Sequence, residues 1–476
     1  MNLFTKTFLR PRTPFGRLFS TLSQEKTSSS IIGGSKIYKD AESALSFIKD
    51  GAVIVTGGFG ICGISENSLR CLKKLNVKDL TFCTNTCGMA DHGPGLLAEN
   101  RQVKKFYICY AGENKRVESQ YMNGEVALEF CPQGSLVEKM RAGSAGIPAF
   151  YTPTGVGTMI EDGGFPIRLN RNGKPEEMAK REKRVFDGRE FLMEEAIFGD
   201  ASIVKAYIAD KKGNLRFRKT ARNFNQDIAG AGKITVAEVE KIVDELPPEK
   251  IHVPGMMVDR VFKGEYFEHR IERITLNTGK GIKLRQNEER AKARFKIVNR
   301  ILEELDEGMY INLGIGIPAI ISSKAMEANV DIDFQCENGI VGMGPYPKEH
   351  ELDSDLINAA KEGITEVSST SYTSSANAFG AIRGQHIHAT ILGALQVSKD
   401  GDLANWIVPG KKVNGMGGAM DLVSCGSKVY VCMEHNNPNG GIKILDKCTL
   451  PLTGKEVISK LFTEKVSYNF MFFLTV

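Results

Sequence analysis

Two segments far apart in the chain share one pattern, in which an acid–glycine turn leads through an apolar run into a glycine-rich loop. They are DGAVIVTGGFG (50–60) and EGMYINLGIGIP (307–318). An apolar, β-branched run that ends in glycines is typical of a buried strand that opens directly into a turn. LTFCTN (80–85) and FYICYAG (106–112) look like further strands of this kind. Because helical or Gly-rich segments separate them, we expect mostly parallel sheets covered by helices.

The repetition of this pattern in the second half of the chain suggests the domain organisation. The chain has 476 residues, a length that suits two or three domains. The polar, glycine-containing stretch 276–290 leads into KARFKIVNRILEEL (292–305), an amphipathic segment that predicts a helix. The sequence therefore predicts two homologous α/β domains with a cleft between them. The expected boundaries are a leader (1–30), a first domain (31–275), a linker (276–286) and a second domain (287–476).

The positive charge of the chain is concentrated at its amino-terminal end. The net charge is +5, and residues 1–30 hold five bases and one acid, which leaves +1 for the rest. Nucleic-acid binding needs clustered Lys and Arg, so we expect no nucleic-acid partner. The basic, amphipathic leader predicts a mitochondrial transit peptide and a location in the matrix; a disordered basic arm is the alternative. The sequence has no apolar run of about 20 residues, so we expect no membrane partner.

The cysteines and histidines do not form a metal-binding pattern. Cys83 and Cys87 are close in sequence, but no second pair completes a zinc tetrad. His386 and His388 would share one face of a strand without a third ligand nearby. We therefore expect no metal, and we expect most thiols to be small buried hydrophobic groups in a reducing compartment.

Four glycine-rich loops suggest where a ligand binds. Glycine lets backbone N–H groups approach an anion closely, although most such loops only turn the chain. None of the four matches a Walker phosphate loop or a dinucleotide fingerprint. Their number in two domains nevertheless suggests a shared cleft. The loops are GGFGICG (57–63), GIGIP (314–318), GMGP (342–345) and GMGGAM (415–420).

The most informative segment is DIDFQCENGIVGMGPYP (331–347). Its first part predicts a strand that delivers Glu337 to its carboxyl end, where open α/β sheets bind their ligands. Asn338-Gly339 then forces a turn before another apolar run. The alternative is a surface hairpin, for which Asn-Gly is a good signal.

Several motifs resemble one enzyme family. FQCENGIVG (334–342) resembles the SENG active-site signature of class I CoA-transferases, and DGAVIVTGGFGICGISENSL (50–69) resembles their other signature. CPQGSLVEKMRAGSAGIPAFYTPTGVGT (131–158) and GDLANWIVPGKKVNGMGGAMDLVS (401–424) lie in the same order as in the fused eukaryotic succinyl-CoA:3-ketoacid CoA-transferase family. The resemblance runs from about residue 35 to residue 465.

This resemblance implies a reaction and a set of residues. Glu337 would be the nucleophile that carries CoA as a thioester from succinyl-CoA to acetoacetate, with ping-pong kinetics, in ketone-body utilisation. Gln133 and the backbone N–H of Gly418 would stabilise oxyanions. The resemblance further implies a homodimer, and no cofactor, since CoA is part of the substrate. The remaining candidate residues for binding substrate or CoA are Asn85, Asn312, Gly314, Gly316, Gly342, Gly344 and Gly417.

The chain also departs from the family pattern. Cys336 stands where the family usually has Ser, Ser65 where it has Pro, and Thr86 where it has a second Asn. Family likeness stops near Lys465, and the tail VSYNFMFFLTV (466–476) is atypical. Two other functions therefore stay open. One is transfer of a different short acyl group, or acyl-CoA hydrolysis; the other is a catalytically inactive binding protein that retains the cleft.

Overall fold

The structure is a computed structural model that describes residues 34–178, 180–277, 288–409 and 414–470. Two large sheets dominate these ranges, one in each half of the chain. The predicted leader (1–30), most of the predicted linker (276–286) and the last six residues of the tail lie outside the described residues.

The first sheet has eight strands and is almost entirely parallel. Their order is β8-β7-β5-β1-β2-β3-β4, and the short β6 pairs antiparallel with β5. The strands are β1 (Val53–Thr56), β2 (Leu80–Cys83), β3 (Val103–Ile108), β4 (Ala127–Phe130), β5 (Gly199–Asp210), β6 (Leu215–Arg216), β7 (Gly232–Val243) and β8 (Arg260–Lys263).

The second sheet repeats the parallel centre but has antiparallel edges. Its order is β12-β11-β10-β9-β13-β14-β15-β16, and the strands from β10 through β9, β13 and β14 to β15 run parallel. The strands are β9 (Tyr310–Leu313), β10 (Asp333–Gln335), β11 (Ile340–Met343), β12 (Glu366–Tyr372), β13 (Ala389–Gly393), β14 (Lys428–Cys432), β15 (Lys460–Phe462) and β16 (Ser467–Asn469). The predicted mostly parallel α/β architecture is confirmed.

Helices connect these strands. They are α1 (Ala41–Leu45), α2 (Glu66–Leu75), α3 (Lys115–Met122), α4 (Gln133–Ala145), α5 (Met159–Asp162), α6 (Asn223–Asp227), α7 (Glu288–Leu302), α8 (Ile321–Glu327), α9 (Ser375–Arg383) and α10 (Ala419–Val423). None of the helices in the described ranges combines the length and apolar character needed to cross a bilayer.

Short 3₁₀ turns and three small sheets complete the described secondary structure. The turns are Pro94–Asn100, Lys219–Arg222, Pro248–Lys250, Gly255–Met257, Pro318–Ile320 and Glu349–Glu351. The small sheets contain Ala149–Thr152, Lys183–Phe186 and Arg189–Glu195; Pro166–Leu169 and Pro175–Met178; and Gln396–Ser398, Leu403–Ala404 and Ile444–Leu445.

The strands predicted from apolar runs form where the sequence placed them. Val53–Thr56 and Tyr310–Leu313 are interior strands, each with a parallel neighbour on both sides. Interior strands are covered on both faces, which explains their near-continuous apolar character. The amphipathic segment 292–305 is helical as far as Leu302, where helix α7 ends, and residues 303–305 lie beyond the helix.

One large buried cluster contains residues of both halves. Val55 and Val137 of the first half belong to the same buried cluster as Phe379, Leu422 and Val431 of the second half. Helix α4 packs against α9 and α10, so helices from both halves meet beside the carboxyl end of β4, which precedes α4 in the chain. Ligands of open α/β sheets bind at such strand ends.

Candidate active site

Glu337 lies in a tight turn between two strands of the second sheet. Gln335 of β10 pairs with Val341 of β11 in antiparallel register, so the chain reverses around Asn338-Gly339. Gly339 has φ of +107°, a conformation that favours glycine. Glu337 is only 6% exposed and Asn338 is fully buried. The alternative of a surface hairpin is therefore partly right: the backbone forms a hairpin turn, but the turn is buried inside the protein and not at its surface.

The surroundings of Glu337 disfavour its charged form. Burial raises the pKa of its carboxyl group above the ordinary value, and the negative charge of Asp421 raises it further. The Glu337 backbone N–H, the Cys336 thiol and the Asn312 amide oppose this shift. The thiol donates weakly, since Cys336 Sγ lies 3.6 Å from Glu337 Oε2. The ionised carboxylate is thus poorly solvated.

Gln133 begins helix α4, directly after β4 and Pro132. Its backbone N–H donates to the Gly417 carbonyl at 2.9 Å, and its Oε1 accepts from the Cys109 thiol at 3.7 Å. Its Nε2 is buried without a hydrogen-bond partner among the described residues. A buried, unpaired donor is unfavourable on its own, so this amide is suited to donate to a bound ligand.

A glycine-rich loop of the second half is anchored on the first half. The Gly417 N–H donates to the Cys109 carbonyl at 3.0 Å. At Gly415, which has φ of +96°, an added Cβ would lie 2.4 Å from the Cys109 carbonyl oxygen. At Gly418 an added Cβ would lie 3.5 Å from Glu337 Oε1. The absence of side chains therefore brings this backbone close to both the first half and the Glu337 carboxylate.

These groups line one cavity of about 390 Å³ between the two halves. Part of its wall is apolar, with Ile315, Leu392, Trp406 and Met416. A second cavity of about 740 Å³ adjoins it, since both are lined by Ile315 and Arg273. A mainly apolar cavity with a few convergent polar groups is typical of a small-molecule site. The predicted residues on the wall of the first cavity are Asn85, Gln133, Gly314, Glu337, Gly417 and Gly418.

Comparison with known families places the chain in one of them. A family model described as coenzyme A transferase matches residues 38–264 and 295–469, which together are most of the chain. The chain belongs to the coenzyme A transferase family. A mitochondrial succinyl-CoA:3-ketoacid coenzyme A transferase 2 of Homo sapiens is 47% identical over 438 residues, covering 91% of this chain and 84% of that protein.

Two further proteins are similar to this chain, one over about half of its length and one in its fold. A shorter protein from Helicobacter pylori strain J99, named as one subunit of a succinyl-CoA:3-ketoacid coenzyme A transferase, is 49% identical over 247 residues, covering 52% of this chain and 99% of its own length. The crystal structure of an acyl-CoA transferase from Escherichia coli O157:H7 superposes with a TM-score of 0.72 at 20% identity, covering 92% of this chain and 88% of that one. The structural match supports the fold of a coenzyme A transferase.

Asn85 and Asn312 lie at different depths in this coenzyme A transferase. Asn85 lines the cavity; its Oδ1 accepts from the Gly60 N–H at 3.3 Å, and its Nδ2 donates to Cys109 Sγ at 3.3 Å. Asn312 is fully buried within the sheet, where its Nδ2 donates to Gln335 Oε1 at 2.6 Å. Asn312 therefore does not line the first cavity, although its amide lowers the pKa of Glu337.

Three predicted glycines lie away from the first cavity. Gly316 lines the adjoining cavity. Gly342 and Gly344 line neither cavity; an added Cβ would lie 2.9 Å from Thr370 Cα at the first and 2.7 Å from Thr365 Oγ1 at the second. Close packing against the neighbouring chain segment explains these two glycines, and their binding of CoA stays a prediction.

Sequence reasoning missed two cations on the cavity wall, Arg273 and Lys361. Lys361 Nζ pairs with Glu272 Oε1 at 3.0 Å and lies 4.7 Å above the Tyr110 ring. Arg273 pairs with Glu113 Oε1 at 2.7 Å. Both residues come from irregular segments, so no periodicity or motif in the sequence indicated them.

Two further departures from the family pattern, Ser65 and Thr86, lie in the loops after β1 and β2. Ser65 precedes helix α2 and is buried, and its hydroxyl has no hydrogen-bond partner among the described residues. Thr86 Oγ1 accepts from the Gly88 N–H at 3.2 Å and so stabilises the turn after Asn85. Both residues therefore shape the loops that follow β1 and β2.

Potential metal ligands meet away from the cavity. Glu66, His92 and Glu268 bring ligand atoms within 4.8 Å of one another, and Arg70 pairs with both carboxylates. All ten cysteines have free thiols, and nine are buried, as expected for small hydrophobic groups. That the enzyme needs no metal stays a prediction.

Proposed function

We propose that this enzyme transfers CoA from succinyl-CoA to a 3-keto acid such as acetoacetate, through a thioester formed on Glu337, in ketone-body utilisation. The names of the relatives from Homo sapiens and Helicobacter pylori support the substrate pair. One observation carries the mechanism: a buried carboxylate lines the same cavity as an unpaired amide donor, Gln133 Nε2.

The first half-reaction loads CoA onto the enzyme. The Glu337 carboxylate attacks the thioester carbonyl of succinyl-CoA, the C–S bond breaks, and a mixed anhydride and CoA thiolate form. The thiolate then attacks the glutamyl carbonyl, so that succinate leaves and Glu337 carries CoA as a thioester.

The second half-reaction runs these steps in reverse with the other acid. The acetoacetate carboxylate attacks the glutamyl thioester, CoA thiolate leaves, and the thiolate attacks the acetoacetyl carbonyl of the new anhydride. Acetoacetyl-CoA departs and the Glu337 carboxylate is restored. No water is consumed, and the first product leaves before the second substrate reacts, so the kinetics are ping-pong.

Each addition creates a negative oxygen that needs donors already in place. Gln133 Nε2 and the Gly418 backbone N–H are the donors we assign, because both residues line the cavity beside Glu337. A single preorganised donor of this kind contributes about 10²–10³-fold to kcat. The oxyanion belongs to the substrate acyl group when that carbonyl is attacked, and to Glu337 when the glutamyl carbonyl is attacked.

Burial of Glu337 serves the chemistry in two ways. A poorly solvated carboxylate is a better nucleophile than one in water, and exclusion of water protects the anhydride and the thioester from hydrolysis. Binding of the distant nucleotide of CoA offsets the unfavourable burial of this charge. Arg270 and Arg294 of the adjoining cavity offer cations for the anionic part of CoA.

Location and assembly complete the proposal. The Homo sapiens relative is named mitochondrial, and residues 1–30 have the composition of a transit peptide, so we place the enzyme in the mitochondrial matrix. We further propose that it works as a homodimer and without a metal or other cofactor.

The test measures acetoacetyl-CoA formation by the purified protein with succinyl-CoA and acetoacetate, beside Glu337→Ala. Transfer by the parent and its loss in the variant support the proposal. Release of free CoA without acetoacetyl-CoA indicates a hydrolase instead. No turnover by a folded parent contradicts this substrate pair, and an active Glu337→Ala contradicts the nucleophile.

A further inference from the structure

Asp421 is a buried acid next to the cavity that the mechanism above does not use. It lies in helix α10, three residues after Gly418, and is 0% exposed. Opposite it stands the first turn of helix α4, which begins at Gln133 in the other half of the chain. Asp421 thus follows one oxyanion donor in sequence and lies beside the other in space.

The carboxylate of Asp421 caps helix α4. Its Oδ2 accepts from the Gly134 N–H at 2.8 Å, and its Oδ1 accepts from the Ser135 N–H at 3.1 Å. Pro132, at the N-cap position, makes no side-chain capping bond. A helix N-terminus favours a negative charge, and N–H groups left without an acceptor there are unfavourable. Asp421 supplies that acceptor from the other half of the chain.

Two neighbours fix the position of this carboxylate. Thr154 Oγ1 donates to Oδ1 at 3.1 Å. At Gly134 an added Cβ would lie 2.7 Å from Asp421 Oδ1 and 2.6 Å from Phe379. Only glycine therefore allows the acid to approach the helix this closely.

We propose that Asp421 is a positioning residue that holds the Gln133 side chain and the Gly418 N–H in one fixed arrangement around the reacting carbonyl. Asp421 is close in the chain or in space to both donors. Gln133 directly precedes Gly134 and Ser135, whose N–H groups Asp421 accepts from, and Gly418 leads into the helix that contains Asp421. The Gln133 N–H also donates to the Gly417 carbonyl at 2.9 Å, which closes the link. This inference rests on the proposed function, because it assumes that these two groups stabilise the oxyanion.

An amide cannot replace this carboxylate. The two oxygens of Asp421 accept from two backbone N–H groups, whereas Asn would turn its NH₂ group toward one of them. Burial raises the pKa of Asp421 to about 6, so the acid is ionised at pH 8. The bonds to the helix are then charge-assisted, and such bonds are stronger than those to a neutral oxygen.

The test compares Asp421→Asn with a matched control, Asp227→Asn, at pH 8. Asp227 is another buried acid; it ends helix α6, and its Oδ2 accepts from the Ala376 N–H at the start of helix α9 at 2.9 Å. It does not line the cavity. For Asp421→Asn we expect kcat to fall on the order of 10²-fold, as for a misplaced oxyanion donor. We expect KM for succinyl-CoA to change less than about threefold, since substrate binding is retained.

The control and a second variant separate positioning from simple stability or charge. Asp227→Asn is expected to keep the parent kcat, although it removes a buried charge of the same kind. Thr154→Val keeps the Asp421 charge and removes one donor to it, so we expect a several-fold loss of kcat at unchanged KM. Thr154→Val also decides the matter if Asp421→Asn does not fold.

The outcomes distinguish this inference from the proposed function. If Asp421→Asn folds and keeps the kcat of the parent, the positioning role is overturned and the proposed function is not. If Asp421→Asn does not fold, an unchanged kcat in Thr154→Val has the same meaning. An equal loss in Asp227→Asn also overturns it, because the effect would then be general. A parent that forms no acetoacetyl-CoA overturns the proposed function and this inference together.

Discussion

Asn85 in the first half and Glu337 in the second half occupy corresponding places in the two large sheets. In the first sheet, Val55 of β1 pairs with Cys83 of β2, and Asn85 follows two residues later. In the second sheet, Asn312 of β9 pairs with Gln335 of β10, and Glu337 follows two residues later. Both side chains reach the same cavity from opposite halves.

The surroundings of the two residues differ more than their positions. Asn85 is neutral and has partners for both ends of its amide, the Gly60 N–H and Cys109 Sγ. Glu337 carries a charge in a buried site whose desolvation raises its pKa. The shared architecture therefore delivers a side chain to the cleft, and the residue type and its solvation decide whether that side chain reacts.

The largest expected effect is the loss of transfer activity when Glu337, the reactive residue of the pair, is replaced. Glu337→Gln keeps the size of the side chain and removes the nucleophile, so we expect transfer to fall by at least about 10³-fold. Asn85→Ala removes a cavity residue that forms no covalent bond, and we expect a loss on the order of 10-fold. Initial rates of acetoacetyl-CoA formation measure both.

A double variant tests whether position alone confers reactivity. We expect Asn85→Asp to leave the Glu337→Gln enzyme inactive, because the loops around Asn85 hold a neutral amide and not an acylated acid. Recovery of transfer in the double variant would contradict the difference drawn between the two sites.

The second effect concerns the unpaired amide of Gln133. Gln133→Ala is expected to lower kcat about 10²–10³-fold with little change in KM, because the donor acts on the transition state. Gln102→Ala is the control, since that buried amide already donates to the Leu72 and Val77 carbonyls. The control should lower the melting temperature and keep kcat; a Gln133 variant with parent kcat would remove this donor from the mechanism.

A smaller effect is expected at the residue before the nucleophile. Cys336→Ser introduces a stronger hydrogen-bond donor beside Glu337 Oε2, so it should stabilise the ionised form and lower its pKa. The acid limb of the pH profile of kcat/KM is expected to move to lower pH, with a rate change within about tenfold. An unchanged acid limb would show that the Cys336 thiol does not tune the carboxylate.

The smallest expected effect is a change in melting temperature, which should have opposite signs for substitutions of Glu337 and Asn85. The folded-state pKa of Glu337 is raised, so the contribution of this group to stability is present below its unfolded pKa and is lost as pH rises through the folded value. Glu337→Gln should therefore raise the melting temperature at pH 8 relative to the parent. Asn85→Ala should lower the melting temperature, because each lost hydrogen bond reduces the free energy of unfolding by about 1 kcal/mol. Thermal melts of the parent and both variants at pH 5 and pH 8 measure these changes. A melting temperature of Glu337→Gln below that of the parent at pH 8 would contradict the expected stabilisation.

Local sequence pattern predicted the strands and the position of Glu337. Apolar runs that end in glycine became β1 and β9, because interior strands need apolar residues on both faces. The strand before Glu337 also formed as predicted, and the resemblance to a CoA-transferase signature selected this acid among 57 acidic residues. These features are local in the chain.

Features that depend on distant contacts could not be predicted in the same way. The roles of Lys361 and Asp421 depend on side chains from the other half of the chain, such as Tyr110 and Thr154. The glycines at 342 and 344 look like a binding loop in the sequence, whereas the structure packs them against a neighbouring segment. The composition and residue spacing of a sequence do not indicate which distant side chains will be in contact.

A covalent CoA adduct on Glu337 is the direct product of the proposed first half-reaction and can be identified by mass spectrometry. The purified enzyme would be incubated with succinyl-CoA alone, digested and mapped by mass spectrometry, beside Glu337→Gln and Asn85→Ala. We expect a CoA adduct on the peptide that contains Glu337 in the parent and in Asn85→Ala, and none in Glu337→Gln. An adduct on another residue, or turnover without any adduct on Glu337, would contradict the account.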